Sequence, residues 1–196
     1  MSIVILWAAA AYLLGAIPWS VWLGALFFGV DPRAQRDQNP GAANSFRAAG
    51  WRLGATVLVL DFLKAFLPVA AARWLMSFPS AELFWIALMP TLGHAFSIFL
   101  RLRGGRGIVV MFGAWAGLTL YAVPAVLGAA AIAGLLILKN DELRALSLPI
   151  ALIAFLLITH APLWMSLLAT GQFLILAAKI SVYLIARRGQ TPAGAQ

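Results

Sequence analysis

The sequence predicts an all-α polytopic membrane protein with about seven transmembrane helices. Hydrophobic residues make up 63% of its 196 residues and charged residues only 10%, whereas soluble domains carry about 25% charge. The apolar residues fall in long runs that short polar connections separate. Because each span needs roughly 20 apolar residues, the spans use most of the chain. We therefore expect one integral-membrane domain over residues 1–196.

The apolar runs predict the helices in order along the chain. The first run, residues 3–30, is too long for a signal-peptide core and lacks a basic leader, so we expect a retained helix with a kink at Pro18. A polar segment at residues 31–52 follows. The further spans are expected at residues 53–76, 81–100, 108–120, 123–138, 146–159 and 163–185, before a polar tail at residues 187–196.

The basic residues predict the orientation in the membrane. With seven spans, nearly all of them lie on one side, namely Arg33, Arg36, Arg47, Arg52, Arg101, Arg103, Arg106, Lys139, Arg144, Arg187 and Arg188. The connections on the other side contain no Lys or Arg, although Arg73 approaches that side from within a span. By the positive-inside rule the N-terminus is outside and the C-terminus cytoplasmic. Topology thus accounts for the net charge of +8, and we expect no nucleic-acid partner.

A short glycine-rich loop on the predicted cytoplasmic side is suited to anions. It contains Gly104, Gly105, Arg106 and Gly107, directly before a span. Glycines let backbone N–H groups approach a phosphate, and a helix N-terminus adds partial positive charge. Arginine adds bidentate hydrogen bonds. Taken in isolation, the loop is better explained as an ordinary glycine turn with topogenic arginines.

The first polar segment supplies a second set of candidate groups. Asn39 begins an Asn-Pro-Gly turn, and Asn44 and Arg47 follow it at helical spacing. The turn alone accounts for residues 39–41, but it leaves Asn44 and Arg47 unexplained. We expect the amide and guanidinium groups to converge there.

Charged side chains inside the apolar runs predict pairing. Asp61 and Lys64 are three residues apart in one span, and intramembrane charges are usually paired. We expect an ion pair, of structural or functional use. Lys179 in the last span either snorkels to the surface or points at a bound phosphate. The chain has no Cys and only two His, so we expect neither a thiolate nor a metal site.

Together these segments resemble the bacterial glycerol-3-phosphate acyltransferases that use acyl-phosphate as donor. Residues 36–47 are similar to that family's first motif, roughly G-S-G-N-x-G-A-T-N-x-x-R, and residues 61–65 to the following D-x-x-K-G. Residues 93–107 are similar to the second motif, G-H-x-x-x-x-F-L-x-F-K-G-G-K-G, and residues 144–148 loosely match R-Y-V-S-L.

Three departures from these family motifs bear on the proposed chemistry. Asp37 stands at the serine of the first motif, and Arg106 stands at the lysine of the second. A third motif near the C-terminus, roughly H-x-x-N-I-x-R-L-x-x-G-x-E, is essentially absent. Lys179 takes its histidine position, Val182 its asparagine position and Thr191 its glutamate position.

The resemblance implies a multi-pass enzyme of the bacterial inner membrane that makes lysophosphatidic acid for phospholipid synthesis. Its partners would be acyl-phosphate, glycerol 3-phosphate and membrane lipid, without cofactor or metal. By position, the donor phosphate is assigned to Gly41, Gly104, Gly105 and Gly107. Glycerol 3-phosphate is assigned to Arg47, Arg106 and Ser147, with Lys179 a weaker contact. Asn39 and Asn44 would orient the loop or the acyl carbonyl, and we assign no general base.

The departures keep other hypotheses open. The missing third motif and Asp37 favour a non-catalytic homologue that binds lipid, acyl-phosphate or another membrane protein. Asp37 alone also favours an acyltransferase with a changed acceptor, such as a hydroxyl or amine without phosphate. A transporter ranks last, because only Asp61 and Lys64 are expected near the midplane. No pattern in the chain indicates an oligomeric state.

Overall fold

A computed structural model describes residues 3–35 and 37–188, and over that part the chain is helical without strands. This confirms the all-α prediction. The α-helices are α1 (Ile3–Ala16), α2 (Trp19–Leu23), α3 (Ala42–Ala70), α4 (Ser80–Ala95), α5 (Ile108–Thr119), α6 (Ala122–Ile137), α7 (Asp141–Ile158) and α8 (Leu163–Arg188). Arg36 and residues 189–196, which entered the charge and motif predictions, lie outside the described residues.

Within the described residues, four stretches are long and apolar enough to cross a membrane. They are Ile3–Phe28, Ala42–Leu75, Ser80–Leu100 and Leu163–Ala186. The apolar helices α5 and α6 are shorter, with 12 and 16 residues. Helix α7 has 18 residues but carries three charged side chains in its first turns. Since a helix rises about 1.5 Å per residue, these three helices are short for an untilted crossing.

The first apolar run breaks where the sequence predicts it, at Pro18. Proline has no N–H to continue the helical ladder, so α1 ends at Ala16 and α2 begins at Trp19. The break frees two carbonyl groups inside the bundle. The Ala16 carbonyl accepts a hydrogen bond from Ser97, and the Ile17 carbonyl accepts one from Lys64 at 2.9 Å. Side chains of α3 and of the segment after α4 are thereby tied to the end of α1.

Two helices begin earlier than the sequence predicts. Helix α3 starts at Ala42 rather than at residue 53, because two alanine-rich turns precede a break at Ala49 and Gly50. Helix α7 starts at Asp141 rather than at residue 146. The Asn140 side-chain oxygen accepts hydrogen bonds from the backbone N–H groups of Glu142 and Leu143, at 2.8 and 3.1 Å, and so caps the helix. At both positions the polar composition of the sequence predicts a loop, whereas the structure has a helix.

A chain of buried polar side chains joins α4, α5 and α8. The Trp115 indole of α5 donates to the Gln172 side chain of α8 at 2.7 Å. Gln172 in turn donates to the Thr91 hydroxyl of α4 at 3.2 Å. Because all three polar groups are buried and bonded to one another, they specify how α4, α5 and α8 pack. Helix α8 is thus held beside the segment that follows α4.

Candidate active site

The glycine loop folds back along the end of α4. The N–H of Gly104 donates to the Ala95 carbonyl at 3.2 Å, and the N–H of Gly105 donates to the His94 carbonyl at 3.0 Å. A Cβ at Gly105 would collide with the His94 ring. The two N–H groups expected to face a phosphate therefore shape the loop instead. Two residues of the loop, Gly104 and Arg106, line the cavity described below.

Asn39 joins the first polar segment to the glycine loop. Its side-chain oxygen accepts from the backbone N–H of Arg106 at 3.0 Å. Its backbone carbonyl accepts from the Asn44 side chain at 2.9 Å. Gly41 follows at the start of α3, where a Cβ would lie 2.9 Å from the Asn39 amide nitrogen. Asn39 therefore sets the distance between two segments that are 67 residues apart in sequence.

An ion pair between Asp37 and Arg106 closes the same junction. A guanidinium nitrogen of Arg106 lies 3.1 Å from an Asp37 carboxylate oxygen, and both side chains are largely buried. The Asn44 amide donates to the other Asp37 oxygen at 2.6 Å. Glu142 of α7 lies 3.8 Å from the same Arg106 nitrogen. All three connections predicted to be cytoplasmic thus meet at Arg106.

A cavity of about 760 Å³ opens beside this junction. Its polar wall comes from the first polar segment and the glycine loop, and its apolar wall comes largely from α8. The lining residues are Asp37, Gln38, Asn39, Phe96, Leu102, Arg103, Gly104, Arg106, Ala178, Lys179, Val182, Tyr183 and Ala186. Since α8 is one of the four long apolar helices, the cavity lies between polar connections and a membrane-spanning element.

Two cations of the cavity lie against aromatic rings. The Arg106 guanidinium carbon lies 5.3 Å from the centre of the Tyr183 ring, and the Lys179 ammonium lies 5.4 Å from the centre of the Phe96 ring. Within residues 3–35 and 37–188, no carboxylate forms a salt bridge with Lys179 or Arg103. The cavity therefore holds three cations against the single carboxylate of Asp37.

A buried polar cluster of Asp61, Lys64 and His94 packs against the glycine loop. The Lys64 ammonium lies 2.7 Å from the Asp61 carboxylate and 2.9 Å from His94 Nδ1. A third hydrogen bond runs to the Ile17 carbonyl at 2.9 Å. The ion pair thus extends to His94 and to the break after α1. Through the His94 ring, which contacts Gly105, the cluster touches the loop itself.

Four of the ten substrate-binding candidates from the sequence line the cavity. They are Asn39, Gly104, Arg106 and Lys179. Asn44 and Arg47 stand behind it, where an Arg47 guanidinium nitrogen donates to the Asn44 amide oxygen at 2.7 Å. Gly41, Gly105 and Gly107 shape the backbone at the start of α3, beside His94 and at the start of α5.

Ser147 is not brought to the cavity. Its hydroxyl donates to the Arg144 carbonyl of its own helix at 2.8 Å, and it lies against Gly134 of α6. Conversely, the sequence pattern did not single out Phe96 or Tyr183 as site residues. Their only sequence signal is an aromatic residue close to a predicted cytoplasmic connection, and other rings such as Phe46, Trp51 and Phe99 share that property.

Comparison with known proteins decides the family. Residues 5–191 match the family model described as glycerol-3-phosphate acyltransferase. The chain belongs to this family. The glycerol-3-phosphate acyltransferase of Pseudomonas paraeruginosa (strain PA7) is 38% identical over 165 residues, which cover 84% of this chain and 80% of that protein. The enzyme of Anaeromyxobacter sp. (strain Fw109-5) is 45% identical over 108 residues, so this chain spans about half, 53%, of its length.

Solved structures of the family share the fold. The crystal structure of PlsY (YgiH), an integral membrane glycerol 3-phosphate acyltransferase, in its glycerol 3-phosphate form aligns with a TM-score of 0.85 at 25% identity. That alignment covers 99% of this chain and 96% of PlsY. The lysophosphatidic acid form aligns with a TM-score of 0.80 at 24% identity. The resemblance to this glycerol-3-phosphate acyltransferase family that the motifs indicated is therefore confirmed, and the chain has the fold of an integral membrane protein.

Proposed function

We propose that this chain transfers an acyl group from acyl-phosphate to the 1-hydroxyl of glycerol 3-phosphate. The products are lysophosphatidic acid, a precursor for phospholipid synthesis, and inorganic phosphate. The observation that carries the proposal is the cavity, which is lined both by cations and by apolar α8 residues, in a chain of the glycerol-3-phosphate acyltransferase family. A lipid product needs both kinds of lining, because it has an anionic head and an apolar tail.

The three cations that line the cavity, Arg103, Arg106 and Lys179, bind the two phosphorylated substrates at separate positions. Arg106 and Lys179 lie against two aromatic rings that line the cavity, and Arg103 directly precedes the glycine loop. Guanidinium and ammonium groups form charge-assisted hydrogen bonds to phosphate oxygens. We assign glycerol 3-phosphate to Arg106 and Lys179, and the donor phosphate to Arg103 beside the glycine loop.

The apolar side of the cavity suits the acyl chain. Ala178, Val182 and Ala186 follow one another at four-residue intervals on α8 and line the cavity, so they form one stripe of the helix. Val182 and Ala186 are exposed on the apolar helix. An acyl chain along this stripe would lie in the bilayer while its phosphate head reaches the glycine loop.

The chemical step needs positioning more than acid–base catalysis. The acceptor hydroxyl oxygen bonds to the carbonyl carbon, and the bond between that carbon and the phosphate oxygen breaks. The hydroxyl proton leaves with the phosphate as HPO₄²⁻, so charge and atoms balance. Because acyl-phosphate is already activated, holding both substrates in line and stabilising negative charge supply the rate. We assign no general base, cofactor or metal.

For the membrane we propose seven spans in the bacterial cytoplasmic membrane, with the N-terminus outside and the C-terminus inside. Helices α5, α6 and α7 then cross as short helices beside the four long ones, and residues 1–196 form one domain. The chain has no Cys, so single Cys residues report topology directly. Lys139→Cys is expected to react with a membrane-impermeant maleimide only from the cytoplasmic side, and His160→Cys only from outside.

The decisive experiment is a direct assay on the purified full chain in lipid. Palmitoyl-phosphate and labelled glycerol 3-phosphate are supplied, and lysophosphatidic acid and phosphate are followed. Arg106→Ala is expected to abolish turnover. Arg52→Ala, which removes an exposed arginine outside the cavity, is expected to retain it. Equal loss in both variants would contradict the assignment of the site.

Two other functions are distinguished by the same assay. A changed acceptor is favoured by the Asp37 carboxylate in the cavity; it predicts phosphate release with glycerol or an amine alcohol but no lysophosphatidic acid. A non-catalytic homologue is favoured by the missing third motif. It predicts binding of acyl-phosphate to folded protein without release of phosphate.

A further inference from the structure

We propose that the Asp37 carboxylate is a tethered competitor of the substrate phosphate for Arg106. It thereby sets how tightly the cavity binds an anionic acceptor. This inference rests on the proposed function, because it assigns Arg106 to a substrate phosphate. It goes further by giving a role to Asp37, whose charge has the same sign as that of the substrates and which lines the cavity with three cations.

The competition follows from where the carboxylate lies. One Asp37 oxygen is 3.1 Å from an Arg106 guanidinium nitrogen, inside the cavity wall. That nitrogen is buried and has no well-directed hydrogen bond. An incoming phosphate oxygen that forms such a bond would occupy the side of the guanidinium that faces the Asp37 carboxylate. Two anions cannot share that position without strong repulsion.

The carboxylate is held in place by groups other than Arg106. The Asn44 amide donates to one Asp37 oxygen at 2.6 Å, and the Asn39 backbone N–H donates to the same oxygen at 3.3 Å. The second oxygen is the one directed at Arg106. Asp37 is thus a fixed anion that keeps its position when the guanidinium turns to a ligand, so its repulsion persists in the bound state.

The remaining cations show why a competing anion still permits binding. Lys179 and Arg103 line the same cavity without a carboxylate partner among the described residues. A dianionic phosphate therefore meets two unneutralised cations and one that is already paired. Serine at the position of Asp37, as in the family's first motif, would offer a hydroxyl donor in place of this repulsion. We expect this chain to bind glycerol 3-phosphate more weakly than its Asp37→Ser variant.

Binding is measured by titration calorimetry on the full chain in detergent, with glycerol 3-phosphate and, separately, inorganic phosphate. Asp37→Asn keeps the shape of the side chain and an oxygen that accepts from Asn44, but removes the charge. Asp37→Ser restores the family residue. Both are expected to lower the Kd of glycerol 3-phosphate about tenfold, equivalent to about 1.4 kcal/mol, and to raise kcat/KM for this acceptor.

Asp31→Asn is the matched control. Asp31 belongs to the same polar segment and pairs with Arg33 at 2.7 Å, but this pair is exposed and outside the cavity. Its removal is expected to leave the Kd of glycerol 3-phosphate unchanged. A second control ligand is glycerol, which has no charge. Its affinity is expected to be the same in the wild type and in Asp37→Asn.

Three results would overturn the proposal. One is unchanged or weaker glycerol 3-phosphate binding in a folded Asp37→Asn variant. Another is an equal gain in Asp31→Asn, which would indicate a general charge effect. The last is a wild type that acylates glycerol and loses this activity in Asp37→Asn, since Asp37 would then recognise the acceptor. Tighter phosphate binding in Asp37→Asn without any acyl transfer would uphold the competition and reject only the proposed function.

Discussion

The Lys64 ammonium donates a hydrogen bond of 2.9 Å to His94 Nδ1, and both side chains are buried within the bundle. Since an ammonium has donors only, Nδ1 must be the acceptor and the ring proton sits on Nε2. The same ammonium bonds Asp61 and the Ile17 carbonyl, which uses its three N–H groups. Lys64 therefore fixes the tautomer and orientation of the ring on which the glycine loop rests.

We expect Lys64→Met to destabilise the protein strongly. Removing one partner of a buried pair leaves an uncompensated charge, at a cost of about 3–5 kcal/mol. The melting temperature in detergent should fall far more than in Asp31→Asn, which breaks an exposed pair worth about 0–1 kcal/mol. The double variant Asp61→Asn with Lys64→Met should recover part of the loss. A single Lys64→Met variant as stable as the double one would refute this account.

Gly105→Ala is expected to abolish or greatly reduce acyl transfer. A Cβ at this position would collide with the His94 ring and lie 3.0 Å from the Asn39 side-chain oxygen, so the loop must move. Gly128→Ala is the control, because a Cβ there meets no atom within 4 Å and the residue lies inside α6. Turnover and melting temperature are measured for both. Wild-type turnover in Gly105→Ala would show that the loop position is not needed.

Replacing Lys179 by Met should weaken the binding of glycerol 3-phosphate. The ammonium lines the cavity without a carboxylate partner in the described part of the chain, and a hydrogen bond to a charged group contributes about 1.5–3 kcal/mol. We expect KM for glycerol 3-phosphate to rise by about tenfold to a hundredfold. Lys139→Met removes an exposed lysine outside the cavity and should leave KM as it is. A KM in Lys179→Met equal to that of the control would remove Lys179 from the site.

Asn39→Ala should separate the first polar segment from the glycine loop. It leaves the Arg106 N–H without its acceptor, and an unsatisfied buried donor costs about 1–3 kcal/mol. We expect a lower melting temperature together with loss of activity. Asn140→Ala removes a helix cap worth about 1 kcal/mol and should lower the melting temperature while keeping turnover. If both variants stay equally active, the junction is not part of the catalytic geometry.

Ser147→Ala tests an assignment that came from motif position alone. Because the hydroxyl bonds its own helix and lies against Gly134, we expect KM for glycerol 3-phosphate within about twofold of the wild type, well under the 1.4 kcal/mol of a tenfold change. A tenfold or larger increase in KM would instead indicate that α7 turns toward the cavity when substrate binds.

The sequence predicted those features that depend on local patterns. The break at Pro18 and the spacing of Asp61 and Lys64 are visible in short stretches, because missing N–H groups and helical periodicity act within a few residues. The early start of α3 at Ala42 was missed, since polar composition outweighed helix propensity there. Local patterns also predicted that the three polar connections carry the site, and the structure brings residues of all three together at Arg106.

Long-range pairings explain what sequence reasoning did not reach. The meeting of Asp37 with Arg106 and of Lys64 with His94 depends on how helices pack, which periodicity does not reveal. The glycine N–H groups were expected at a phosphate, but the loop folds back and α4 accepts them instead. A glycine signature indicates that the backbone comes close to something; the fold decides what that is.

The glycine loop derives its shape from bonds within the chain itself. Gly104, Gly105 and Arg106 donate in succession to the Ala95 carbonyl, the His94 carbonyl and the Asn39 side chain. Ordering a free backbone costs about 1–2 kcal/mol per residue in conformational entropy, and here that loss falls on folding rather than on each turnover. A substrate that meets such a loop does not have to order it, so more of its interaction energy remains as affinity.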